Sequence, residues 1–170
     1  MTTKMNYHIL LFLALAVFVV SENQCKESRS DSGKEYNFTS CDAETHKHLQ
    51  LSQLNISPYP IIRGKCLHVK GLLHASSKID WAIIKFKAVY KLHKGPIQLN
   101  ITIIDEQLNF CDFCVEAIQH YCPVLPGVYH INEPVVIPSI FWTGEYEMRV
   151  SIFNDKNDKL FCGKAFLHIK

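Results

Sequence analysis

From Asp80 to Lys94 the even positions Ala82, Ile84, Phe86, Ala88, Tyr90 and Leu92 are apolar, while odd positions include Lys85, Lys87, Lys91 and His93. A period of two sends successive side chains to opposite faces, so this segment predicts a long strand with one buried and one solvated face. Ile97, Leu99, Ile101 and Ile103 alternate with Gln98, Asn100 and Thr102, and Tyr146, Met148, Val150 and Ile152 alternate with Glu145, Glu147, Arg149 and Ser151. Leu67, Val69, Gly71 and Leu73 repeat the pattern more weakly, and Leu160 to Ile169 is apolar on both faces, as in a strand covered on both sides. Turn signals separate the runs at Pro58-Tyr59-Pro60, Gly64, Lys94-Gly95-Pro96, Pro126-Gly127, Thr143-Gly144 and Asn154 to Asp158. About seven short strands punctuated in this way predict an all-β, immunoglobulin-like antiparallel β-sandwich. Only Asp112–His120 has room for a helical turn, and the chain holds no repeat, low-complexity tract or second domain.

The N-terminal segment changes the compartment. Lys4 precedes an apolar run from Ile9 to Val20, and polar Ser21 to Gln24 follow at once. A basic start, a short apolar stretch and small residues near a cut site read as a secretory signal peptide over residues 1–21. The run is shorter than the roughly 20 apolar residues a spanning helix needs, which disfavours a membrane anchor. Residues 22–35 are polar and read as a flexible arm, leaving residues 36–170 as one domain. The full chain has 18 Lys+Arg against 16 Asp+Glu, so losing Lys4 leaves the charges nearly balanced, and no basic block tracks a phosphate backbone. Nucleic acid is therefore excluded as a partner, and the aligned lysines of 85–91 read as a solvated strand face.

Seven cysteines in such a chain point to a disulfide framework with at least one sulfur left over. Asn-x-Ser/Thr acceptors at Asn37, Asn55 and Asn100 agree with an extracellular or endolysosomal (vacuolar) lumen, Asn55 being the weakest because Pro58 follows its triplet. Catalytic patterns are missing: no nucleophile elbow, zinc-protease motif or phosphate loop is present. His46 and His48 flank Lys47 in a polar stretch and read as solvated, and Asp105 and Glu106, adjacent on a strand, point to opposite faces. The sequence thus calls for no enzyme activity, cofactor or metal.

The most informative stretch is Asn109-Phe110-Cys111-Asp112, followed by Cys122-Pro123-Val124 and Gly127. Taken in order with Arg63-Gly64-Lys65, Ile137-Pro138, Gly144-Glu145-Tyr146 and Cys162, it resembles the ML (lipid-recognition) domain family from about Cys41 to Lys170. The resemblance extends to its fungal phosphatidylglycerol/phosphatidylinositol transfer proteins and the Niemann–Pick type C secreted sterol carrier. It implies pairing of Cys41 with Cys162 and of Cys111 with Cys122. In the loop-closure model those loops stabilise the fold by about 4.8 and about 3 kcal/mol. Cys25, Cys66 and Cys114 depart from the family pattern: Cys114 is an alternative partner for Cys122, Cys66 reads as a buried thiol, and Cys25 as a site for an intermolecular bond. The family's Pro-Pro before Gly-x-Tyr is replaced here by Ile140-Phe141-Trp142-Thr143.

The resemblance further implies a phospholipid or sterol held between the two sheets by burial alone, with transient membrane contact and a monomeric chain. Sequence alone reads Ile84, Phe86, Tyr90, Leu99, Ile101, Ile103, Met148 and Val150 as core residues or as slot lining. Ile140, Phe141 and Trp142 are either a plug on the sandwich end or a portal touching the membrane. The resemblance places Tyr146 at the portal, with Tyr121 at the same end. The rival reading is a secreted interaction module or lipid-presenting adaptor with the same fold, meeting a protein receptor.

Overall fold

The computed structural model describes residues 33–36, 39–41 and 48–170. Nine strands and one helix are defined among these residues: β1 (Lys34–Tyr36), β2 (Thr39–Ser40), β3 (Leu49–Ser57), β4 (Cys66–Ala75), β5 (Ala82–Lys94), β6 (Ile97–Asn109), α1 (Phe110–Ile118), β7 (Gly127–Val136), β8 (Gly144–Asn154) and β9 (Lys159–Ile169). They form two antiparallel sheets, one of four strands in the order β1-β3-β4-β7 and one of five in the order β2-β9-β8-β5-β6. The seven long strands match the sequence expectation, and the two short ones lie near the start. Lys34 and Glu35 fall within the expected arm, yet they belong to β1, because Glu35 pairs with Asn55 through backbone bonds that need no apolar side chain. The signal-peptide segment, Cys25, Asn37 and His46 lie outside the described residues. Among the described residues no helix is long and apolar enough to cross a membrane.

Two phase changes set which side chains face inward. In β3 the register slips between Ser52 and Asn55, with Gln53 in the left-handed region at φ 53°. The inward set therefore passes from Leu49 and Leu51 to Leu54 and Ile56. In β6 the register slips opposite Ala88 and Val89. Ile101 faces the same side as Tyr90, whereas beyond the bulge Ile104 and Leu108 take the inner positions opposite Ala88 and Ile84. Ile103 is the extra residue of the bulge and is 36% exposed, which corrects its assignment to the inner face.

Helix α1 begins two residues earlier than the helical turn expected over Asp112–His120 because Asn109 caps it, its side chain accepting from the Cys111 N–H at 2.8 Å. Phe110, Cys114 and Ala117 fall on one face at helical spacing and are buried. Gln119 ends the helix in the left-handed conformation, its N–H donating to the Cys114 carbonyl. Cys111 is bonded to Cys122, fastening α1 to the segment that precedes β7, and Cys41 is bonded to Cys162 of β9 across 121 positions. Cys114 is a buried free thiol, so it does not replace Cys111 as partner of Cys122. Cys66 is not a thiol either: its sulfur is in a disulfide.

Candidate ligand slot

Because β9 packs over β3, the two sheets register with β5 near β7, and the fifth strand, β6, overhangs the four-stranded sheet. Helix α1 contacts β5, β6 and β7 and fills this overhang at one end. Toward the other end no strand among the described residues covers β6, and inner-face Leu99 is 50% exposed there; Leu108, beside the start of α1, is 38% exposed. Leu99 is thus a rim residue and not a core one. Ile101 and Ile104, nearer the middle, are partly buried.

The interior is packed as two separate clusters. At the α1 end, Leu49, Leu73, Ile84, Phe110, Val124, Ile152 and Phe161 form one. At the opposite end, Leu54, Ile56, Ile61, Leu67, Tyr146, Leu167 and Ile169 form the other. Between them the five-stranded sheet presents two rows, Phe86–Val150–Gly163 and Ala88–Met148–Ala165. Gly71 of β4 lies on the inner face of the other sheet, where a Cβ would meet Leu54 Cδ1 only at ordinary contact distance, 3.4 Å. Sheets about 10 Å apart are filled by side chains from both sides, and four of these positions offer a hydrogen or a methyl. Phe86, Met148 and Val150 are accordingly only partly buried although they point inward from central strands. Phe86 packs in neither cluster.

The tip loop 137–143 closes the end away from α1. Its three apolar residues divide the two roles considered for them. Phe141 turns in, its ring 5.8 Å from that of Tyr146, and packs on the second cluster. Ile140 and Trp142 turn out, 81% and 51% exposed. Trp142 sets its edge against Tyr90 at 5.4 Å, and Tyr90 in turn lies 5.2 Å from Tyr146. Tyr90 donates to the Thr143 carbonyl at 3.1 Å, and the Arg63 guanidinium donates to the Phe141 carbonyl at 3.3 Å. Burial, and next the neighbouring Tyr90, push the Tyr146 hydroxyl pKa up, against the opposing effect of its bond to the Trp142 carbonyl. Gly144, at φ 140°, admits this packing, since a Cβ there would run into the Tyr90 ring. Tyr121 does not join this group: it follows α1, beside the Val124–Ile79 bridge, at the other end of the sandwich.

Of the twelve residues singled out as lining, Ile84 is a packed core residue, Tyr146 the floor of the tip, Phe86, Met148 and Val150 surround the thinned middle, and Ile101 lies opposite Tyr90 in the row of Tyr146. Missing from that set is the opposing wall, Leu51, Val69, Ile131 and Val135. The alternation of Leu67 to Leu73 marked that wall as a strand without marking its part in the slot. Chemistry is sparse. Asp105 pairs with Lys87 at 3.1 Å on the outer face, away from Glu106. His48 shares a 3.1 Å hydrogen bond with Ser77, and among the described residues no group of three metal-ligating side chains is assembled.

These features define a disulfide-stapled two-sheet sandwich with an interior packed at both ends and thinned between them. Residues 35–169 match the ML domain, and the chain belongs to that non-enzymatic family. It is 25% identical over 126 residues to a phosphatidylglycerol/phosphatidylinositol transfer protein of Aspergillus oryzae, covering 74% of this chain and 67% of the relative. A protein of the same description from Kluyveromyces lactis is 29% identical over 126 residues, covering 72% and 68%. Among solved structures, a Niemann-Pick type C2 protein from the Japanese carpenter ant superposes with a TM-score of 0.55 at 18% identity, covering 79% of this chain and 99% of that one. Chicken MD-1 complexed with lipid IVa gives 0.50 at 12% identity, covering 85% and 94%.

Proposed function

We propose that this protein is a secreted carrier that takes up one lipid between its sheets and passes it between membranes, without chemical change. The observation that carries the reading is the pair of thinned rows around Gly163 and Ala165, where central inward side chains stay partly exposed. An acyl chain or sterol ring laid there replaces missing packing, each buried methylene contributing about 0.8 kcal/mol. A slot of this kind needs to match a bilayer as a solvent without far exceeding it, so that uptake and release both stay possible. The names of the fungal relatives favour a phospholipid, and the family resemblance read from the sequence keeps a sterol as the second candidate. The apolar run Ile9–Val20 and the disulfides support entry into the secretory pathway.

Ile140 and Trp142 suit the step at the membrane, since both stand outside the packed cluster at the slot end. The test is fluorescent-lipid transfer between donor and acceptor vesicles, run in parallel with a phosphatidylinositol and a sterol probe. Protein-dependent transfer of either probe supports the carrier. Lipid bound but never released supports a lipid-presenting adaptor instead, a reading that the likeness to MD-1 with its lipid IVa keeps in view.

A further inference from the structure

We propose that Asn100 carries an N-linked glycan whose innermost sugars lie in a groove on the outer face of the five-stranded sheet. Such a glycan depends on the secretory reading above. Two acceptor triplets fall among the described residues, and their surroundings differ. Asn55 sits in β3 with a strand on each side, opposite Glu35 and Lys70, and its amide lies against Gly33. Asn100 sits in edge strand β6, whose single neighbour is β5, and it is exposed. Thr102, two residues on, completes the triplet and shares its face.

The same asparagine lines a groove of about 400 Å³ together with Lys91, His93, Gln98, Glu145 and Phe166. Pairing sets Asn100, Lys91, Glu145 and His168 in one row across the sheet, with Phe166 in the next. At a strand spacing of about 4.8 Å, Phe166 is roughly 15 Å from Asn100, within reach of the innermost sugars. Phe166 is 62% exposed on this outer face, in the row of Glu147 and Val89, an aromatic ring that the fold leaves largely uncovered. A hexosamine matches both halves of this surface. Its C–H face covers the ring, while its hydroxyl and acetamido groups meet the donors of Lys91, His93 and Gln98 and the acceptor oxygens of Glu145.

Attachment joins Asn100 Nδ2 to the anomeric carbon of the first sugar. The bond from that carbon to the diphosphate oxygen of a lipid-linked oligosaccharide donor breaks, the diphosphate leaving with the electron pair, and Nδ2 gives up one proton. The full chain is secreted from eukaryotic cells, and its glycopeptides are mapped for wild type, Asn100→Gln, Thr102→Ala and Phe166→Ser. The native proteins are then timed against a peptide-N-glycosidase. The expected result is a glycan on Asn100 that both Asn100→Gln and Thr102→Ala remove, and a several-fold faster native release in Phe166→Ser with an unchanged melting temperature. Secreted protein bare at Asn100 overturns the site. A glycan released at the same rate from wild type and Phe166→Ser overturns its seat in the groove. Chain retained in the cytosol overturns the secretory reading and this inference with it.

Discussion

The Tyr146 hydroxyl donates to the Trp142 carbonyl at 2.9 Å, so a side chain buried at the base of β8 holds the backbone of the exposed tip loop. With the Tyr90 bond to the Thr143 carbonyl, two tyrosines of neighbouring strands tie down a loop whose outer side chains remain free of the core. A fixed backbone carrying exposed apolar groups is a suitable contact for a membrane, because little ordering is left to oppose binding.

Trp142 and Phe141 should separate in their effects. Trp142→Ser removes a half-exposed ring and should cost less than about 1 kcal/mol of stability, while slowing vesicle transfer severalfold. Phe141→Ser opens the second cluster and should cost about 1–3 kcal/mol, below the range for a fully packed aromatic. Thermal melts and transfer rates on both variants check this. A steep stability loss at Trp142 with normal transfer would make that residue part of a plug.

The thinned middle can be tested by filling it. Ala165→Leu adds bulk between the clusters, and in a filled core overpacking destabilises by about 1–3 kcal/mol. Over a slot it should leave the melting temperature near that of the empty wild type and abolish lipid uptake. Phe86→Ala probes the same layer by removal. Its cost should fall below the about 3–5 kcal/mol of a packed Phe, with altered lipid preference.

Glu147 gives the fold a small pH dependence. Its hydrogen bond to the Lys91 ammonium, at 2.7 Å, holds the carboxyl below the usual carboxylate range, assisted by the charges of Lys91, Lys164 and Arg149 and opposed by partial burial. The folded state keeps this group ionised to lower pH than the unfolded chain does. Its contribution is therefore complete above the ordinary carboxylate pKa and is lost as pH falls through the lowered one. Glu147→Gln should lower stability by up to about 1 kcal/mol at neutral pH, and denaturant titrations should show the difference closing in strong acid. A gap that widens in acid would contradict the assignment.

Cys114 should be silent toward thiol reagents. Burial pushes its pKa up to about 12, and the thiolate is the reactive form. A maleimide at mildly alkaline pH should label it only when the chain unfolds, with a rate that tracks denaturant. Rapid labelling of the native protein would show an open α1 end.

The strands were legible because one face of each is wet, and alternation records that directly. Where alternation broke, the single-period reading failed. The doubled Ile103-Ile104 marks the bulge that moves Ile103 off the inner face, and Gln53 does the same in β3 without an apolar signature. Leu99 reads as core from its period, yet it is exposed because β6 overhangs a sheet one strand narrower, a fact about strand order that no local pattern contains. The slot was harder still. It depends on Gly71, Ala88, Gly163 and Ala165 coming together from three strands, and small residues carry no hydrophobic signal of their own.

Whether the space between the sheets holds a lipid is tested most directly by native mass spectrometry of the purified secreted protein, followed by analysis of its organic extract. The expected result is a protein peak heavier by the mass of one lipid, and that lipid in the extract at close to one molecule per chain. A bare chain mass with an empty extract, from a protein that also takes up no phosphatidylinositol or sterol when offered them, would contradict the carrier.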